Sequence, residues 1–307
     1  MKKYGFGVDI GGTTCKIGLF EMNGTLIEDW EIKTNTENKG ASILDDVAVA
    51  IEGKMQSAGI AKEEVQGIGV GVPGPVTGDG TVLQCVNLGW GEFNVAEVLK
   101  KRTGFDVKVG NDANVAALGE MWQGGGKGHK DVVMVTLGTG VGGGIIVDGK
   151  MLEGYMSAGA EIGHMILREG GALCGCGRHG CFECYASATA LIRQTKRKME
   201  ENMDSAMWEV AKGSLDNVDG RTAFEAAKKG DRDAQAVVDK YIGYLSEGIA
   251  DLVNILRPEA IVLGGGVANE GEALFAPLRK AVDERSYLPS SVVPLKIVGA
   301  KLGNSAG

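Results

Sequence analysis

Four side chains able to bind a metal fall within a short span: His164, Cys174, Cys176 and Cys181. One His, a Cys-x-Cys ten residues on and a third Cys five residues later supply an imidazole and three thiolates, the tetrahedral set that Zn²⁺ favours. Gly170, Gly171, Gly175, Gly177 and Gly180 lie between them. A loop that folds tightly around an ion needs such residues, because glycine tolerates positive φ. Four protein ligands leave no open position for water, so the spacing predicts a structural zinc and not a Lewis acid. Glu161 and Glu183 flank the ligands without belonging to them. A metal-bound His also keeps a second ring nitrogen, which normally donates to an oxygen. These three groups are therefore candidates to face a polar ligand.

A second chemistry is written in glycine and threonine. Asp9 precedes the turn Gly11-Gly12-Thr13-Thr14, and Lys16 follows it, between the apolar runs Phe6–Val8 and Ile17–Phe20. This reads as a hairpin and not a P-loop, which would need Gly-Lys-Ser/Thr opening a helix. Successive N–H groups in such a turn form an anion nest, and a carboxylate beside it can hold Mg²⁺ through water. About 127 residues later the device recurs: strand Val132–Val135, turn Thr136-Leu137-Gly138-Thr139-Gly140, strand Gly144–Val147, then the hairpin dipeptide Asp148-Gly149. The repeat suggests a duplicated domain with two phosphate-facing hairpins across a cleft.

The elements that position these residues alternate. Helix Ile43–Ala58 carries Ile43, Val47, Ile51 and Met55 on one stripe. Strand Val65–Val72 ends at Pro73-Gly74-Pro75, a short helix follows near Val95–Arg102, and strand Phe105–Val109 runs into Asn111 and Asp112. Beyond the cysteines, helices are predicted over Ser187–Asn202, Arg221–Lys229 and Asp233–Leu256, then strands Ala260–Leu263 and Val292–Val298. Alternating strands and helices imply a parallel-rich α/β sheet with ligands beyond the strands' carboxyl ends. Asp112, at a strand end and a helix start, is placed to accept a proton from an alcohol. It is equally a plain helix cap from local sequence alone. The glycines Gly264-Gly265-Gly266 after a strand let a flat ring or a phosphate approach the backbone.

The 307 residues favour two domains, expected at 1–112 and 113–307. A formal net charge of −8 disfavours a nucleic-acid partner. The absence of an 18-residue apolar run disfavours a membrane. Six cysteines, three of them in the knuckle, suit a reducing cytoplasm, with Cys15, Cys85 and Cys184 as ordinary thiols.

Together these residues resemble the ROK family of bacterial sugar kinases, and within it the glucokinases. Asp9-Ile10-Gly11-Gly12-Thr13 with Lys16 is similar to its first phosphate motif, Leu137 to Gly144 to its second, and Glu161-Ile162-Gly163-His164 with Cys174, Cys176 and Cys181 to its zinc signature. The fold implied is a duplicated pair of actin-like, Hsp70-like (ribonuclease H-like) α/β domains with an interdomain cleft and a zinc knuckle. The resemblance implies Asp112 as general base toward the 6-hydroxyl of glucose, with ATP as donor and Mg²⁺ and structural Zn²⁺ as cofactors. It implies sugar contacts from Asn111, Glu161, His164 and Glu183, and lesser ones from Gly74 and Asn87. ATP would lie on Asp9, Gly11, Gly12, Thr13, Lys16, Thr136, Gly138, Thr139 and Gly140, with adenosine at Gly265 and Gly266. A homodimer or homotetramer in the cytoplasm is implied. Kinases of mannose, N-acetylhexosamine or fructose, and polyphosphate as donor, are the alternatives, with a non-catalytic sugar sensor behind them. A repressor of this family carries a winged-helix domain ahead of the first motif, and here Asp9 lies too near the start for one. The family pattern continues past Gly303-Asn304-Ser305-Ala306-Gly307 into a helix, where this sequence stops.

Overall fold

Two five-stranded sheets with the same strand order carry the chain. In the computed structural model, which describes residues 2–303 apart from the Met156 side chain, β1 (Tyr4–Ile10), β2 (Thr14–Glu21) and β3 (Leu26–Lys33) form an antiparallel meander. After helix Ile43–Ala58, β4 (Val65–Val72) lies parallel to β1. A small ribbon of β5 (Thr81–Val82) and β6 (Phe93–Asn94) and helix Val95–Thr103 then lead to β7 (Val107–Asn111), parallel to β4. The order is β3-β2-β1-β4-β7.

The second sheet repeats it. Strands β8 (Val132–Leu137), β9 (Val141–Val147) and β10 (Lys150–Met151) are antiparallel, and β11 (Ala260–Gly264) and β12 (Lys296–Gly299) join parallel, giving β10-β9-β8-β11-β12. Asp148 and Gly149, both at positive φ, make the tight turn between β9 and β10, as the dipeptide predicts.

By contacts, residues up to 123 together with 152–159 form one unit, and 124–151 with 160–303 the other. The break falls after helix Asp112–Gln123 and not before it. That helix packs on β4 and β7 of the first sheet, where Val115 fills the space left by Gly71 and Gly110.

Each unit has its own core. In the first, alternation along β1 buries Phe6, Val8 and Ile10 against Ile43, Val47 and Ile51, while Asp9 points to the other face. In the second, helix Arg232–Leu256 lays Val238, Ile242, Leu245, Ile249 and Leu252 on the sheet. Asp231 caps its start by accepting from the Ala234 N–H at 2.8 Å. Arg257 ends it at φ +43° and donates to the carbonyls of Leu288 and Val293, which holds a side chain in a region that normally favours glycine.

Several elements differ from the sequence reading, among them helix Glu272–Arg285, which lies where no element is predicted. Strand β3 escapes the sequence reading because as an edge strand it is largely exposed and carries Glu28, Asp29, Glu31 and Lys33, its alternation reduced to half-buried Trp30 and Ile32. The last strand begins at Lys296, not Val292. The N–H groups of Val292 and Val293 turn back to the Pro289 carbonyl, and Pro294 has no N–H to give a ladder. The terminal motif from Asn304 lies outside the described residues.

Candidate functional site

In the first unit the carboxyl ends of β1, β4 and β7 stand side by side. Asp9 is level with Gly71 of β4 and opposite Lys16 of β2, and Val72 pairs with Asn111. Gly71 is where a side chain would intrude: a Cβ there would lie 2.8 Å from Val115, 3.7 Å from Asp9 Oδ1 and 3.8 Å from the Asp112 Cα. Both carboxyl groups are held above the usual aspartate range. Burial is the main cause for Asp9, helped by the Asp112 charge and opposed by Lys16. For Asp112 burial dominates, opposed by the Ala113 N–H.

The helix that starts here settles which residue caps it. Asn111 Oδ1 accepts from the N–H groups of Ala113 and Asn114 at 3.0 and 3.3 Å, and its Nδ2 donates to the Gly74 carbonyl at 3.1 Å. Asp112 accepts from the Ala113 N–H through one oxygen at 2.8 Å. The Asn111 side chain and the Asp112 N–H also lower its pKa, each by less than the Ala113 N–H does. Asn111 therefore carries the helix cap, while the Asp112 carboxylate keeps a lone pair for chemistry.

The first hairpin turn is closed by the Gly11 N–H to Thr14 carbonyl bond of 3.0 Å. Buried Thr34 pins it from behind, donating through its hydroxyl to the Gly11 carbonyl at 2.7 Å and through its N–H to Thr13. Among the described residues the N–H groups of exposed Gly12 and Thr13 have no acceptor, which is the condition of an anion nest. Lys16 sits 3.8 Å from Glu31 at the surface. Exposed Asn87 lies beside this turn, its carbonyl 3.8 Å from a Cβ placed on Gly12. At φ +99°, a Cβ on Gly74 would fall onto the Gln84 carbonyl, so only glycine fits. Thr34 escaped the sequence reading because an isolated threonine ahead of a loop carries no pattern.

In the second unit the Gly138 N–H reaches the Gly140 carbonyl at 3.1 Å, and the N–H groups of Thr139 and Gly140 have no acceptor among the described residues. Thr136 pairs with Gly264, and Gly265, at φ +88°, presses on the Leu137 carbonyl, so the Gly265-Gly266 turn sits against this hairpin. A Cβ on Gly140 would lie 2.5 Å from Glu183 Oε2. Glu183 thus stands beside the hairpin with one oxygen and accepts a hydrogen bond from the Cys174 thiol at 2.9 Å with the other. Half-exposed His164 follows Glu161, whose carbonyl accepts from the His164 N–H at 3.0 Å; the Glu161 side chain is exposed.

The ligand atoms of His164, Cys174, Cys176 and Cys181 all lie within 4.8 Å of one another. Cys176 Sγ is 3.7 Å from Cys181 Sγ, and Cys174 Sγ is 3.7 Å from His164 Nδ1. Tetrahedral ligands held about 2.3 Å from zinc stand about 3.8 Å apart, so the donor set and its spacing fit that ion. With Nδ1 turned inward, Nε2 is the ring nitrogen that faces away. Gly180 closes the knuckle at φ +83°, where a Cβ would strike the Arg168 carbonyl. The knuckle is fastened to helix Arg232–Leu256 by the two-pronged Arg168–Glu247 pair at 2.6 and 2.7 Å, by Phe182 seated over Gly248, and by the Tyr241 hydroxyl on the Ala186 carbonyl at 2.7 Å. None of these fasteners has a local sequence signal, because each joins positions more than fifty residues apart.

The predicted residues thus gather into two groups, one per unit: Asp9, Gly11, Gly12, Thr13, Lys16, Gly74, Asn87, Asn111 and Asp112 in the first, and the second hairpin, the glycine turn, Glu161, Glu183 and the knuckle in the second.

The ROK family pattern matches residues 5–307. A glucokinase of Halalkalibacterium halodurans is 40% identical over 98% of this chain and 91% of its own. The structure of a ROK family glucokinase from Streptomyces griseus, in complex with glucose and AMPPNP, is 35% identical with a TM-score of 0.77, covering 99% of this chain and 96% of that one. A ROK family transcriptional regulator, a homologue of the E. coli MLC protein, is 27% identical with a TM-score of 0.84, over 99% of this chain and 75% of its own. Among the described residues no helix is long and apolar enough to cross a membrane.

Proposed function

The chain belongs to the ROK family, and from that premise we propose that it is an ATP-dependent glucose kinase acting on the 6-hydroxyl. The observation that carries this is the state of Asp112: at a strand end, its side chain open to solvent yet its pKa raised by partial desolvation, and relieved of capping by Asn111. A carboxylate of that kind accepts the hydroxyl proton as the oxygen attacks the γ-phosphorus, and the bond from phosphorus to the bridging oxygen of ADP breaks. A raised pKa brings the base nearer the working pH and strengthens it.

The free N–H groups of Gly12, Thr13, Thr139 and Gly140 are assigned to phosphate oxygens, with Lys16 adding charge, and Gly265 and Gly266 to adenosine. Asn111, Glu161, His164 and Glu183 are assigned to sugar hydroxyls, with Gly74 and Asn87 shaping the pocket. Asp9 has no donor from the protein on its carboxylate among the described residues, which suits a hydrated hard cation. Mg²⁺ held there would neutralise charge on the phosphoryl group. The knuckle would hold a structural Zn²⁺ through His164 Nδ1 and the three cysteines, leaving Nε2–H fixed for a hydroxyl. A cytoplasmic homodimer or homotetramer completes the reading.

The test is coupled ADP formation across glucose, mannose, N-acetylglucosamine and fructose, with ATP and with polyphosphate. Turnover with ATP and glucose is the expected result. Glucose binding without turnover would favour a sugar sensor, the reading that the likeness to the regulator supports.

A further inference from the structure

Away from every residue assigned above, a cavity of about 430 Å³ opens in the second unit between helices Ala188–Glu201 and Arg232–Leu256. That volume falls in the range of small-molecule sites. Four cations line it, Arg193, Arg197, Lys198 and Lys240, against one carboxylate, Glu201. On a chain of formal net charge −8 this is a local reversal of sign.

Two of the cations are matched. Glu201 lies 3.4 Å from Arg197 and 3.5 Å from Lys198, which Asp233 also holds at 2.9 Å. The other two are not: among the described residues no carboxylate lies within ion-pair distance of Arg193 or Lys240. Arg193 spends one N–H on the Cys184 carbonyl and keeps the rest of its fork. Gln194 gives its amide N–H to the Tyr185 carbonyl at 3.0 Å, and its Oε1 is buried with no hydrogen-bond partner. The rings of Tyr185 and Tyr244, 4.9 Å apart and tilted by 51°, form an amphipathic wall.

Two unmatched cations from facing helices call for a dianion, an orphaned acceptor for a hydroxyl donor, and two phenol rings for a compact carbon skeleton. We propose that this cavity binds a phosphate monoester of a small polyhydroxylated molecule, the class to which a hexose phosphate belongs. Its floor is joined to the knuckle, because the Tyr185 hydroxyl accepts from the Ala172 N–H at 2.8 Å and Glu183 stands two residues before it. Occupancy therefore bears on the position of Glu183, an effect on sugar KM that rests on the function proposed above.

The test is calorimetric titration of the full chain with glucose 6-phosphate, inorganic phosphate and unphosphorylated glucose, comparing wild type with Arg193→Gln/Lys240→Gln. Thermal unfolding checks that the variant is folded; both side chains are on the surface. Wild type is expected to bind the ester, and the double variant to lose that binding by at least about tenfold, since charge-assisted hydrogen bonds to a dianion are the strong ones. Equal loss with inorganic phosphate identifies the free anion as the ligand, and tighter binding of the ester identifies the skeleton as part of it. A folded double variant that binds as wild type does, or a wild type that binds neither phosphate, overturns the proposal. Calorimetry needs no turnover, so failure here and failure of the kinase reading are separate results.

Discussion

Asp112→Asn separates a catalytic base from a helix cap. The substitution keeps the shape, and the side-chain oxygen that accepts from the Ala113 N–H at 2.8 Å survives in the amide. The cap itself belongs to Asn111, which takes two N–H groups, so the roughly 1 kcal/mol that a lost Asn or Asp cap costs is not lost here. The electrostatic effect has a definite sign. Burial raises the folded-state pKa of Asp112, so its contribution to stability is fully present below the unfolded value near about 3.9 and is lost as pH rises through the folded value. Removing the ionisable group therefore leaves the Tm at neutral pH unchanged or higher. Turnover moves the other way. Loss of a positioned base lowers kcat by about 10²- to 10⁴-fold, about 2.7–5.5 kcal/mol of barrier, with sugar affinity little changed. The assay is kcat and KM by coupled ADP release across pH, beside thermal unfolding of the same samples. In wild type the acid limb of kcat/KM should lie above the ordinary aspartate range, and the variant should lose that limb. A variant that keeps more than about a tenth of wild-type turnover, or that melts as a cap-deleted helix does, would refute the assignment.

Other outcomes are as definite. Glucose should be preferred over N-acetylglucosamine and fructose by at least about tenfold in kcat/KM, because a site built on hydrogen bonds to hydroxyls penalises each one unpaired; a flat profile across the three sugars would leave only a general hexose kinase. Metal analysis should find one zinc per chain. Cys176→Ala or strong chelation should raise the sugar KM and lower kcat while ATP affinity changes much less, with excess Mg²⁺ giving no rescue, since a hard ion disfavours thiolates; metal-free protein that binds glucose normally would sink the organising role of the knuckle. Gly180→Ala forces φ +83° on alanine and a Cβ onto the Arg168 carbonyl, a cost on the order of 1–3 kcal/mol visible as lower Tm and weaker zinc retention. Gly175→Ala meets open space and should be silent, so equal behaviour of the two variants would show that the close approach at Gly180 does not matter.

The sequence alone determined whatever depends on local spacing. The four candidate metal ligands, the two Gly-Thr turns and the Asp148-Gly149 hairpin are each specified by residues a few positions apart, as are the stripes of Ile43–Ala58 and of the long helix that reaches Leu256. Short-range backbone geometry reads such patterns directly. Tertiary structure decided what depends on partners far along the chain. That Asn111 and not Asp112 caps the helix follows from which side chain the strand end turns toward Ala113 and Asn114. That Thr34 braces the first turn, and Glu247 and Tyr241 the knuckle, follows from packing of segments that no period connects. Edge strand β3 was hard to read for a related reason: most of it is exposed, and only Trp30 and Ile32 are left to alternate against the core. The raised pKa of Asp112 belongs to this second class as well, since burial is a property of the folded neighbourhood and is absent from the residue and its spacing.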